Sequence, residues 1–155
     1  MNIVVERYTK IKSNIVSLKP IKPVNIIAVS KTFPLEHIHP LIEHGHIHYG
    51  ENKVQEAMAK WSEKKATNQN LKLHMIGKLQ SNKAKDAVKI FDYIHSLDNQ
   101  KLADTLAKHQ KNLKKERTDL KLHMIGKLQT NKAKDAVKIF DYIHSLDNQK
   151  LADAL

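Results

Sequence analysis

The chain has 155 residues, no cysteine, and 27 lysines and arginines against 16 aspartates and glutamates, a formal net charge of +11. A disulfide framework is excluded, which suits a reducing compartment, and no apolar run approaches the roughly 20 residues of a membrane helix. Only Arg7 and Arg117 are arginines, so the forked donors and stacking aromatics of a specific nucleic-acid reader are scarce and the charge reads as a solvated lysine surface.

The amino terminus, MNIVVERYTK, lacks the charged-then-apolar order of a signal peptide, so a cytoplasmic protein without a membrane segment is expected. From there Val4, Tyr8, Ile11, Ile15 and Leu18 recur at spacings of four and three, which predicts a helix with one buried stripe. Pro20 and Pro23 end it. The apolar, β-branched run from Asn25 to Lys31, closed by Pro34, predicts a buried strand. Helices and strands then alternate. Helices are predicted over Leu35 to His44, Lys53 to Lys64, Asn82 to Lys89 and Asn99 to Lys115, and strands over His46 to Glu51, Leu71 to Gly77 and Phe91 to Leu97. This alternation indicates an α/β fold of parallel βα units, wound into a barrel or an open doubly wound sheet.

The carboxyl-terminal part is a copy. Residues 71–106 align without a gap on 120–155 and differ only where Ser81 becomes Thr130 and Thr105 becomes Ala154. Solenoid repeats keep a sparse packing pattern and let exposed positions drift, whereas here even lysines are copied. A tandem duplication of a gene segment is therefore expected, dividing the chain into residues 1–118 and a copy, 119–155, of residues 70–106.

Chemistry concentrates at strand ends. AVSKT places Lys31 at the carboxyl end of the first strand, where barrels and open α/β sheets carry their ligand sites. A lysine partly desolvated there can attack an aldehyde as a neutral amine; a lysine reaching into solvent from a strand terminus is the structural alternative. HIHPLIEHGHIHYGE supplies His37, His39, His44, His46 and His48, of which His46 and His48 share a strand face. With no cysteine and few carboxylates nearby, packed or solvated histidines are favoured over a metal centre. The nucleotide-binding and hydrolase motifs GxxxxGK[ST], HExxH and GxSxG are absent.

Four motifs in order, AVSKT at 28–32, YGENKVQE at 49–56, HMIGKLQSNKAK at 74–85 and IHSLD at 94–98, resemble the pyridoxal phosphate homeostasis protein family. The resemblance runs from the first helix to about Lys108. It implies a TIM-like (β/α)8 barrel, a Schiff base between Lys31 and pyridoxal 5'-phosphate, Asn52 near the cofactor ring, and His74 with Ile76 lining the lumen. It also implies a carrier of the cofactor with no turnover of its own.

The carboxyl-terminal half of the resemblance is missing. The family's serine- and glycine-rich phosphate-binding stretches have no counterpart, since no glycine follows Gly126, and a copy of strands three and four stands in their place. About six strands cannot close a barrel built for eight, so unpaired sheet edges and self-association through them are expected. Two readings follow: a PLP-binding homeostasis protein, or a truncated relic of the family with little or no cofactor binding.

Overall fold

The computed structural model describes residues 2–97, 100–113, 121–124, 133–143 and 153. Along them run α1 (Ile3–Ser17), β1 (Ala28–Val29), α2 (Leu35–Glu43), β2 (His48–Glu51), α3 (Val54–Thr67) and β3 (Lys72–Met75). A 3-10 turn at Ser81–Lys83 leads into α4 (Ala84–Ile90), followed by β4 (Tyr93–Leu97), α5 (Gln100–Leu113), β5 (Lys121–Met124), α6 (Ala133–Ile139) and β6 (Tyr142–Ile143). Asp98, the predicted helix limits Asn99 and Lys115, and the segment after Met124 that copies IGKLQSN lie outside the described residues.

The six strands form one parallel sheet whose spatial order is the chain order, β1 to β6. The connecting helices contribute to one core on a single face of the sheet, as crossovers of one hand between successive neighbours require. The sheet is thus wound in one direction, as in a barrel wall, and the reversal that defines a doubly wound sheet does not occur among these strands.

Strand alternation sorts the side chains. Tyr49, Leu73, Met75 and Ile94 point to the helical face and build the core with Ile38 and Leu41 of α2, Ala57 and Trp61 of α3, Ala87 and Val88 of α4, and Leu102 and Leu106 of α5. Trp61 and Tyr49 are fully buried with ring centroids 4.8 Å apart. The intervening residues, His48, His74, Tyr93, His95 and His123, take the opposite face. Gly45, at φ +88°, closes α2 in a conformation that favours glycine.

Two expectations need correction. The predicted seven-residue buried strand is two residues long, and Val29 is 52% exposed. β1 is the first strand of the sheet and pairs only with β2 among the described residues, so burial from a second neighbour is missing. The α1 stripe is only partly buried: Val4 and Tyr8 pack against the core, Ile11 and Leu18 are 51% and 80% exposed, and the buried residue of the helix is Val5, beside the stripe.

The copied sequence forms its structure twice. KLHM is a strand at β3 and at β5, AKDAVKI is a helix at α4 and at α6, and the same YI begins β4 and forms β6. Local pattern and sheet pairing favour the same outcome at both places, although the neighbours differ.

Candidate functional site

The sheet brings two groups of residues together, one at the carboxyl ends of the first strands and one across the face opposite the helices. At the strand ends, Val29 pairs in register with Gly50, so Lys31 and Asn52 each lie two residues beyond a paired position on neighbouring strands. The connection between them is tight. The Ser30 N–H donates to the Gly50 carbonyl at 3.0 Å, and the Ser30 hydroxyl donates to Glu51 Oε1 at 2.7 Å. The Ser30 carbonyl accepts the Phe33 N–H at 3.0 Å, which makes Lys31 and Thr32 the central residues of a turn. Lys31 is exposed on this turn, and the partial burial expected of it is not observed.

Asn52 follows β2 directly, half-buried. It lines a basin of about 480 Å³ together with Lys53, Gln55, Lys78, Gln80 and Lys83. Neither Lys31 nor His74 lines this basin. Gly77 crosses over Asn52 so closely that a Cβ there would lie 2.6 Å from the Asn52 carbonyl oxygen and 2.8 Å from its Cα. Both contact atoms are backbone and cannot swing away. Gly77→Ala should therefore displace Asn52 and cost about 1–3 kcal/mol of stability, read as a lowered urea midpoint at constant slope. An unchanged midpoint would mean that the two loops do not pack this way.

His74 sits in a chain of imidazoles. His48 Nδ1 is 2.9 Å from His74 Nε2, and His74 Nδ1 is 2.8 Å from His95 Nε2. His95 stacks toward His123 at 4.6 Å between centroids, His123 stacks on Tyr142 at 4.4 Å, and Tyr93 lies flat on His74 at 4.3 Å. Both ring nitrogens of His74 are thus occupied by neighbouring imidazoles. Burial, and then the charges that His95 and His48 would carry, hold its pKa down at about 3. His46 and His48 are also lowered, chiefly by burial. Neutral imidazole offers one donor and one acceptor, so His48, His74 and His95 can only run in one hydrogen-bond direction at a time, through matching tautomers.

The other histidines of the amino-terminal cluster serve locally. His46 Nδ1 meets the Tyr8 hydroxyl at 3.2 Å and its Nε2 meets the His48 carbonyl at 2.8 Å, which spends the pair that shared a predicted strand face. His39 faces Glu43 at 3.5 Å, and His37 stacks on Phe33. No group of three metal-ligating side chains in suitable geometry occurs among the described residues.

Sequence reasoning singled out Lys31, Asn52 and His74 but assigned nothing to Glu51, His95 or His123. The ladder had a signal: in GHIHYGE, KLHM, YIHS and the second KLHM, a histidine alternates with core-facing apolar or aromatic residues, which places all four on one face. Glu51 had none, because its partners lie far away in sequence.

No family model matches the chain. It is 40% identical over 97 residues to the pyridoxal phosphate homeostasis protein of Pasteurella multocida, a match covering 63% of this chain and 42% of that protein. The protein of the same name from Haemophilus influenzae is 41% identical over 83 residues, covering 54% of this chain and 35% of the relative. The chain thus spans less than half the length of these curated relatives. Among solved structures, PipY of Synechococcus elongatus with PLP bound superposes with a TM-score of 0.67 at 32% identity, over 88% of this chain and 72% of PipY.

Proposed function

Because the chain belongs to the pyridoxal phosphate homeostasis protein family, we propose that it binds pyridoxal 5'-phosphate at the carboxyl ends of its strands, as a carrier and not as an enzyme. The observation that carries this reading is the placement of Lys31 on a hydrogen-bonded turn at the end of β1, with Asn52 at the end of the neighbouring strand. The donor set suits such a ligand. A lysine amine, once deprotonated, can condense with the aldehyde to a Schiff base with loss of water, a carboxamide lies at the end of the neighbouring strand, and Lys78 and Lys83 bring positive charge to the basin that Asn52 lines. When bound, the cofactor supplies an electron-withdrawing ring.

Each residue then has a task. Lys31 attaches the aldehyde reversibly, which suits a protein that stores and releases its ligand. Asn52 donates and accepts hydrogen bonds at the ring. His74, with both nitrogens engaged by His48 and His95, contributes a neutral, rigid surface on the sheet face and no charge. The six parallel strands act as part of a barrel wall. No helix among the described residues is long and apolar enough to cross a membrane.

The competing reading, a family relic with little cofactor binding, is favoured by the exposure of Lys31 and by its absence from the basin that Asn52 lines. An absorbance titration with pyridoxal 5'-phosphate separates the two. Saturable visible absorbance at micromolar cofactor that disappears in Lys31→Ala supports binding at Lys31. A response that does not saturate and is the same in both proteins supports the relic.

A further inference from the structure

A buried polar network lies directly behind Lys31, and resting on the role just proposed for that lysine, we propose that Glu51 and Lys60 are positioning residues for it. Glu51 is fully buried at the end of β2, on the helical face. Its Oε1 accepts three donors: the Ser30 hydroxyl at 2.7 Å, Trp61 Nε1 at 2.8 Å and Lys60 Nζ at 3.0 Å. Its Oε2 is buried and has no hydrogen-bond partner. Lys60 divides its ammonium between this carboxylate and the Ser30 carbonyl, at 2.8 Å.

The consequence for Ser30 is complete restraint. Its N–H is held by Gly50, its hydroxyl by Glu51, and its carbonyl by Lys60 and by the Phe33 amide. That carbonyl belongs to the peptide bond that leads into Lys31, and it is also the acceptor that closes the turn over Lys31 and Thr32. Helix α3 therefore reaches under the strand end and fixes the first corner of the turn from which the lysine projects.

Stability alone is a poor explanation for this arrangement. A buried ion pair barely recovers its desolvation cost, and an apolar pair of the same size is commonly as stable or more so. The network also leaves a carboxylate oxygen without a partner, which adds to its cost. What the pair supplies that leucine and methionine cannot is a directed donor to the Ser30 carbonyl and a directed acceptor for its hydroxyl. A second pair from the same helix gives the internal comparison: Lys65 of α3 meets the buried carboxylate of Asp92, at the start of β4 and away from Lys31.

The test compares Lys60→Met with Lys65→Met in the full chain. Two readings are taken. One is the share of borohydride-fixed pyridoxal phosphate found on Lys31 relative to the other lysines; the other is amide hydrogen exchange at Phe33, whose N–H closes the turn on the Ser30 carbonyl, and needs no cofactor. Lys60→Met should lower the Lys31 share by about tenfold and speed exchange of the turn by a similar factor, and Lys60→Arg should restore both. Lys65→Met, which breaks a buried pair away from the turn, should leave the Lys31 share unchanged and speed exchange in the turn no more than in the rest of the sheet. If Lys60→Met does not fold, the double variant Glu51→Leu/Lys60→Met removes both charges and is expected to show the same two losses. Unchanged exchange in the turn with either variant overturns the proposal. If the wild type does not label Lys31 at all, the cofactor reading fails, and the exchange result still decides whether the network positions the turn.

Discussion

Between pH 7 and pH 5 the protein is expected to lose about 2 kcal/mol of stability through His74 alone, and about 3 kcal/mol by pH 4. The sign follows from the depressed pKa. An unfolded histidine titrates near 6.5, whereas His74 in the folded chain holds out to about 3. Across that interval the unfolded state binds a proton that the folded state refuses, so stability rises with pH and falls as the solution is acidified. Nothing is lost above about pH 6.5, and the loss continues down to about pH 3. The physical reason is burial first and the ladder second: a charged His74 would donate from both nitrogens, so whichever of His48 and His95 donates to it in the neutral chain would have to change tautomer. His46 and His48 are shifted in the same direction and add to the slope. Urea unfolding followed by circular dichroism at several pH values measures this directly. His74→Gln should flatten the profile, and a wild-type stability that is constant from pH 7 to pH 5 would show that the ladder is not dry and neutral.

The duplicated segment offers a matched pair of sites for the second large effect. Asp92 and Asp141 occupy the same place in identical sequence, FDYIH, but in different surroundings. The Asp92 side chain is 4% exposed, takes the Lys65 ammonium, and accepts the Leu73 N–H at 2.7 Å. The Asp141 side chain is 30% exposed and pairs with Lys121 at 2.9 Å, near solvent. Removing one partner of a buried pair typically costs about 3–5 kcal/mol, because the remaining charge and the amide stay buried and uncompensated. That is a large share of the roughly 5–15 kcal/mol that holds a domain together. Asp92→Ala should therefore bring the chain close to unfolding at room temperature, while Asp141→Ala should cost a small fraction of that, since exposed pairs are screened by water. Equal shifts in the urea midpoints would mean that the two copies are equally buried, and the described packing around β4 would be wrong.

Much of the fold was legible because its signals are local. Pro20, Pro23 and Pro34 bracket the first strand, Gly45 ends α2, and the apolar spacings of the helices and strands follow their own periods. Alternation alone indicated parallel βα units. It could not choose between one-way and two-way winding, since that depends on which strands become neighbours. The same gap explains β1 and α1. The apolar run from Asn25 to Lys31 and the stripe through Ile11 and Leu18 look buried by composition, yet exposure depends on what stands beside them.

The site was legible in part for a similar reason. Lys31 was marked by its place at the carboxyl end of a predicted strand and Asn52 by the family resemblance, and the structure puts them on adjacent strand ends. His74 was found by the same resemblance, but its partners were not, although the histidines of four strands alternate with core residues. Glu51 and Lys60 escaped entirely. They are nine residues apart in sequence and meet Ser30 across 21 and 30 residues, so only the folded sheet shows that they brace the turn under Lys31.

The claim that Lys31 is the attachment point rests most directly on one measurement: incubation with micromolar pyridoxal 5'-phosphate, borohydride reduction, and mass-spectrometric mapping of the labelled lysine. With 25 lysines in the chain, selectivity is the quantity that matters. The account predicts label concentrated on Lys31, with surface lysines modified only at much higher cofactor concentration. Label scattered over the surface lysines, with Lys31 no more reactive than the rest, would contradict it.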